Sequence, residues 1–527
     1  MNNKALFPLM ATLFIVIGVA LGMYLPQQPS NQSASSSKFD QKLSDIMEAI
    51  DRNYVDSVDK DQLFQKTITQ LLHDLDPHSN YISAEQFTAA NEQIEGSFGG
   101  VGIRFTIYDD TLSVVNVIPQ SPAFRAGIKK FDQFIEVDGE DIADGTLTNK
   151  HVRELLKGKA DTPVKINLLR KGKSLKKEII RDVVPIKSIT AAYMITDDVG
   201  YMRLTTFSKL SAQEFYKAAL RLQTHGMKNL IFDLRSNGGG VLGAAVAIID
   251  AILEKDKIIV STKGVNSPER IITSENDPFL GDVELAVLIN SGSASASEIV
   301  SGALQDNDRG TVIGRRSFGK GLVQQDIELK DSSRLRLTVS RYYTPTGRSI
   351  QKPYNGNYQD YIMDEMDRYE NGELYALDSS LFVDSLKYTT PKGKVVYGGG
   401  GIMPDIFIPL DTAGSSIYFR KLLYANVFNE FSYHYARFND LAAYKNISDF
   451  DTRFHVNKAV IKEFKAYVEK HSDVEFNPTG YRHAIERIKE GIKGEIARQR
   501  WLEEGAQYIY NQHTEEVQKA IEVLEGD

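Results

Sequence analysis

Apolar positions change their period several times along this chain, and each change predicts a different kind of element. Ala5 to Pro26 (ALFPLMATLFIVIGVALGMYLP) carries no charge, and about 20 apolar residues suffice to cross a bilayer as a helix. The polar, Ser-rich run QQPSNQSASSSK follows, a composition suited to a flexible tether. Across residues 38–90 the spacing is helical: Leu43, Ile46, Met47 and Ile50 share one face, then Leu63, Ile68, Leu71 and Leu72. Asp76-Pro77 breaks that pattern. Residues 91–186 switch to short alternating strands with a Gly-rich entry (GSFGGVGIRF) and an Asp138-Gly139 turn. A helix over about 148–157 and a strand from Pro163 to Leu169 close this β-rich module.

From 187 to 410 the pattern becomes strand, small-residue turn, helix. Asn229 to Leu234 reads as a buried strand, Asn237-Gly238-Gly239-Gly240 as a turn, and Val241 to Leu253 as a helix. The unit repeats as Glu284 to Asn290, SGSAS, and a helix from Ala296 to about Gln305. Such alternation predicts a parallel sheet with crossovers, which places ligands at the carboxyl ends of its strands. Residues 322–352 read as two strands around Asp331-Ser332-Ser333, and the acidic, Tyr-rich stretch 353–395 as an exposed insertion. The last 117 residues, 411–527, are helical in period, highly charged and contain the lone Trp501. They suggest packing or oligomerisation rather than catalysis.

Composition then narrows the classes. Lys and Arg number 62 against 70 Asp and Glu, a net charge of −8 that argues against a general nucleic-acid binder. The absence of cysteine excludes a disulfide framework, a cysteine nucleophile and Cys-based zinc sites. Lys4 is the only charge ahead of the apolar run. The positive-inside rule therefore puts the bulk of the chain outside the cytoplasm. The run is long for a signal peptide and lacks a clean A-x-A site, which favours a retained single-pass anchor over a cleaved leader.

The sequence Gly314-Arg-Arg-Ser-Phe-Gly319-Lys320-Gly321 approaches a P-loop, but its last position is glycine where a hydroxyl should hold magnesium. The strand-like LVQQDIEL after it replaces the helix that should bind phosphate. A nucleotide site is rejected. The cluster Ser291, Ser293, Ser295 and Ser297 lies between a buried strand and a helix, where unpaired amide N–H groups suit an oxyanion hole. A serine hydroxyl needs a base. His78, His151 and His225 read as structural or exposed. A desolvated lysine can serve instead, and Lys320 stands beside Phe318 and before Leu322 and Val323. A plain turn lysine is the competing reading of the residues alone.

The segments DLRSNGGG, SASASEIVSGALQDN, FGKGLVQ and GGGGIMPDI resemble the carboxyl-terminal processing (tail-specific) peptidases. The resemblance implies an α/β crotonase-like protease core with an inserted PDZ domain, using a serine–lysine dyad. It assigns Ser295 as nucleophile and Lys320, 25 residues downstream, as base. Gln324 would orient the lysine, whereas Asp306, implicated in some relatives, is taken as structural because a nearby aspartate would raise the lysine's pKa. The oxyanion amides would be Ala296 and either Gly239 or Gly240. In the PDZ-like module, Gly100, Val101, Gly102 and Ile103 would offer backbone N–H groups to a peptide C-terminus. The segments LDPHSNYIS and LTVSRYYTPTGRSIQKPY also resemble the family, so the likeness spans about 38–410 and leaves out the last 117 residues.

The expected activity is that of a periplasm-facing serine endopeptidase. It would bind accessible protein C-termini through the PDZ module, with no metal or cofactor, membrane contact through the N-terminal helix, and homo-oligomerisation left open. The PDZ module is expected to gate the dyad. Two rivals share the fold: a non-catalytic ligand carrier and a membrane-tethered PDZ scaffold with a dormant core.

Overall fold

The computed structural model describes residues 38–143, 145–377, 380 and 382–526. The predicted anchor at 5–26 lies outside them. Among the described residues no helix is long and apolar enough to cross a membrane. The chain divides into two compact units, up to Gln70 and from Leu71 onward. The first contains the amphipathic helix Lys38–Asn53 and most of helix Lys60–His73.

The second unit is built around a six-stranded sheet. Its order is Ile189–Met194, Val199–Leu204, Asn229–Asp233, Glu284–Ile289, Thr311–Gly314, Ile406–Phe407. The first pair is antiparallel and all others are parallel. Its central strands are mostly apolar, as buried parallel strands require, with the buried Asp233 ending one of them. Phe232, Leu285, Val287 and Ile289 point to a core shared with helices Ser211–Thr224, Leu242–Asp250 and Ala296–Asp306. Ile231, Ala286, Leu288 and Ile313 point to the opposite face, where Val517 and Ala520 of the last helix, Glu515–Glu525, cover them. The C-terminal stretch thus completes the core of a sheet formed some 200 residues earlier.

A second sheet joins Asn80–Ile82, Arg334–Tyr343, Ile258–Gly264 and Ser267–Thr273, with Leu322–Glu328 paired to Arg334–Tyr343. The expected hairpin turn is present: Ser332 has φ +67° and the Asp331 carboxylate accepts from Ser333 N. The β-rich module has its own core, including Leu112, Val114, Phe134, Val152 and Val164, and its strand Ile103–Tyr108 lies at a sheet edge. Helices from Ile417 onward build a third core around Phe431, Phe450, Phe464 and Ile488.

One expectation is corrected. The stretch 353–395 is not simply an exposed insertion: it forms helix Tyr358–Glu370, whose Tyr361 and Arg368 are buried. The high charge of this segment hid a helix with one inward-facing edge.

Candidate active site

Ser295 stands at the mouth of helix Ala296–Asp306, with φ +53° and ψ −112°. Positive φ is strained for a side chain with a Cβ, and such strain concentrates at functional sites. The turn that faces it explains one glycine. A Cβ on Gly239, itself at φ +97°, would lie 2.8 Å from Ser295 Cβ and 2.9 Å from Ala296 N. Gly239 donates its N–H to Asn237 Oδ1 at 2.9 Å. Gly240 and Ala296 donate no hydrogen bond among the described residues. The Asn237 side chain also donates to Leu204 O, which ties the turn to the neighbouring strand.

Lys320 enters from the loop after strand Thr311–Gly314. Its Nζ donates to Gln324 Oε1 at 3.0 Å, and Gln324 Nε2 donates in turn to the carbonyl of His78. No hydrogen bond joins the Ser295 hydroxyl to the Lys320 amine among the described residues. Burial, followed by the nearby Arg336 cation, lowers the Lys320 pKa from its ordinary 10.5, against weaker opposing effects of Glu298 and Asp76. The structure therefore brings Lys320 and Gln324 into contact and sets Ser295 against the glycine turn.

What joins the two halves is Glu298, fully buried. Its Oε2 accepts from the N–H of Ser295 and of Lys320, both at 2.8 Å. Its Oε1 accepts from Gly319 N at 2.7 Å and Ser317 Oγ at 2.5 Å. Burial pushes this carboxyl's pKa up, and four donors counter that by favouring the anion. Tyr342 reinforces the join by donating to Ser295 O at 3.1 Å and contacting Lys320 O.

His78 is at the site, not merely on the surface. Its Nε2 meets Tyr361 OH at 2.9 Å, and its ring packs near Phe318. Burial, with the Lys320 charge second, lowers its pKa to about 3, so it stays neutral near pH 7. Lys352 fills the space between the Phe318 and Tyr361 rings, 4.1 Å from each centroid. Asp306 is elsewhere engaged, in a fully buried ion pair with Arg348 at 2.7 Å and a hydrogen bond from Thr346 Oγ1.

A cleft of about 560 Å³ runs beside the lysine loop, lined by Asp76, Pro77, Leu322, Thr338 and Gln351 among others. The larger cavity, about 1200 Å³, is lined mainly by the C-terminal helices and includes none of the predicted site residues. No group of three or more potential metal ligands occurs among the described residues.

In the β-rich module, Val101 is buried and its carbonyl accepts from Ala123 N. Gly102 has φ +82°, and a Cβ there would lie 2.3 Å from Ser121 Cβ. Gly100 pairs with Asp182, and Ile103 opens the edge strand. Val101 and Gly102 therefore form the turn between strand Ser97–Gly100 and the edge strand Ile103–Tyr108, with Gly100 and Ile103 flanking it.

Glu298, Tyr342 and Tyr361 were not singled out from sequence, where His78 reads only as structural or exposed. Glu298, Tyr342 and His78 lie inside segments already recognised as family-like, SASASE, LTVSRYY and LDPHSNYIS. Tyr361 sits in the stretch read as an insertion and carried no signal.

Comparison with known proteins identifies the domains. Residues 198–361 match the model of peptidase family S41, 99–180 that of the PDZ domain, and 418–502 a family of unknown function. The carboxy-terminal-processing protease of Bartonella bacilliformis is 38% identical over 353 residues, covering 64% of this chain and 80% of that protein. The carboxy-terminal processing protease CtpA of Bacillus subtilis is 33% identical, covering 64% and 73%. A probable CtpA-like serine protease of Staphylococcus aureus is 32% identical, covering 65% and 69%. With a PDZ domain set ahead of the protease core, this chain belongs to the carboxy-terminal processing proteases of peptidase family S41.

Proposed function

We propose that the chain cleaves peptide bonds with a Ser295–Lys320 dyad on a crotonase-like core, choosing substrates by their C-terminal tails. The observation that carries this reading is the single Glu298 oxygen bound to the backbone N–H of both residues. It holds a strained serine and a desolvated lysine on adjoining segments. The lysine side chain has four rotatable bonds, and exchange of its amine between Gln324 and the Ser295 hydroxyl would assemble the dyad.

Neutral Lys320 would take the Ser295 proton as Oγ attacks the scissile carbonyl. The free N–H groups of Ala296 and Gly240 would hold the tetrahedral oxyanion. Gly239 is the weaker choice because its N–H already serves Asn237. Lys320 would then protonate the departing amine, and water would hydrolyse the acyl-enzyme by the same steps in reverse order of roles. Peptide tails would add to the Ile103 edge strand, with their carboxylate at the Gly100–Gly102 loop. The apolar run 5–26 supports a tether that leaves the catalytic part on the periplasmic side.

Purified full-length protein incubated with unfolded casein provides the test. Cleavage should be abolished in Ser295→Ala and in Lys320→Ala, and a fluorophosphonate should label wild type at Ser295. Persistent cleavage in Ser295→Ala would overturn the assignment.

A further inference from the structure

Glu516 lies in the first turn of the last helix, far outside the matched peptidase region. It is 8% exposed. Its Oε1 accepts from Arg315 Nη1 at 2.9 Å, and its Oε2 from Arg235 Nη1 at 3.3 Å. These two arginines occupy equivalent places. Arg235 follows strand Asn229–Asp233 and comes five residues before Gly240, while Arg315 follows strand Thr311–Gly314 and comes five residues before Lys320. The strand between those two, Glu284–Ile289, leads to Ser295. One carboxylate therefore spans the strand that carries the serine and links the root of the glycine turn to the root of the lysine loop.

The two guanidiniums differ in their other support. Arg235 is also held by Asp233 through Nε at 3.0 Å and Nη2 at 2.7 Å. Arg315 has the carbonyls of Ile408 and Pro409, but Glu516 is its only carboxylate among the described residues. Packing does not require this arrangement. Val517 and Ala520 supply the apolar cover for the sheet, and a buried ion group is often no more stabilising than an apolar replacement.

We infer that Glu516 is a positioning residue for catalysis, fixing the separation between the oxyanion turn and the lysine loop. This rests on the proposed roles of Ser295, Lys320 and Gly240. Without the carboxylate, Arg315 would lose its one carboxylate partner while Arg235 kept Asp233, and nothing would tie the two loop roots across the serine strand. The C-terminal helix is on this account a part of the active-site frame.

Full-length Glu516→Gln, Glu516→Asp and Val517→Ala would be compared with wild type. The readouts are kcat and KM on a fluorogenic peptide, the rate of fluorophosphonate labelling, and Tm. A displacement approaching 1 Å can cost up to about 100-fold in rate, so Glu516→Gln is expected to lose roughly tenfold in kcat and labelling rate with KM little changed. Glu516→Asp keeps the charge but shortens the reach, and should fall between wild type and Glu516→Gln. Val517→Ala should lower Tm while kcat, measured well below the melt, stays at the wild-type level. Wild-type kcat in Glu516→Gln would overturn the inference, as would a kcat loss in Val517→Ala as large as that in the glutamate variants. Should Glu516→Gln fail to fold, the Asp and Val517 variants decide: a selective kcat loss in Asp supports positioning, and its absence refutes it. Wild type that shows no Ser295-dependent labelling is a separate result, which removes the dyad and this inference with it.

Discussion

At the scale of the residue, the proposed chemistry turns on how the pKa of Lys320 is lowered. Burial is the largest cause of its lowered pKa and the Arg336 cation the next. Arg336 is fixed by Asp326 through Nε at 2.7 Å and Nη2 at 2.8 Å. In the proposed dyad the neutral amine is the competent base, so kcat/KM should rise with pH through the Lys320 pKa. Replacing Arg336 by Met removes the favourable cation and leaves Asp326 unpaired, and both changes favour the charged amine. The rising limb of the profile should therefore move to higher pH, with activity at pH 7 down severalfold. A pH–rate series on both proteins checks this, and an unmoved limb would show that Arg336 does not act on the base. His78 should contribute no step of its own near pH 6.5, because its pKa is lowered to about 3.

At the scale of the element, the strands and helices that carry Ser295 and Lys320 were readable because hydrophobic period and glycine turns act locally. The strand expected at Glu284 to Asn290 is observed at Glu284–Ile289, and the helix expected from Ala296 to about Gln305 ends at Asp306. Helix Tyr358–Glu370 escaped because its inward edge is polar or aromatic and finds partners by hydrogen bonding. Arg368 donates to the carbonyls of Arg316, Ser317 and Phe318, at 3.3, 2.9 and 3.3 Å. These are the residues leading directly into Gly319-Lys320, so the helix braces the lysine loop from outside. Arg368→Met would strand those carbonyls, while Asp364, 2.9 Å from Arg368 Nε, would keep its pairing with Lys352 at 3.1 Å. Leaving buried carbonyls without their donor costs on the order of 2 kcal/mol. Denaturant unfolding should show that loss, and hydrogen exchange should quicken at Arg316–Lys320. Unaltered exchange there would mean the loop stands without the helix.

At the scale of the whole molecule, contacts between segments hundreds of residues apart leave no periodic trace, and the docking of the PDZ domain on the C-terminal helices is of this type. Tyr108 OH meets His434 Nδ1 at 2.7 Å across a separation of 326 residues. Tyr108 and Phe131 pack against Tyr433, with ring centroids 5.3 and 5.5 Å away. Tyr433 is fully buried, and it lies in the core of the C-terminal helices rather than that of the PDZ domain. Truncating a buried aromatic costs about 3–5 kcal/mol. Because the PDZ domain has its own core, Tyr433→Ala should release the domain before it unfolds it. Small-angle scattering should then report a larger radius of gyration. Exchange should rise around Tyr108 and Phe131 while Phe134 and Val164, inside the PDZ core, stay protected. If protection vanished at those core positions as well, the C-terminal helices would be part of what folds the PDZ domain, and tail recognition could not be separated from them.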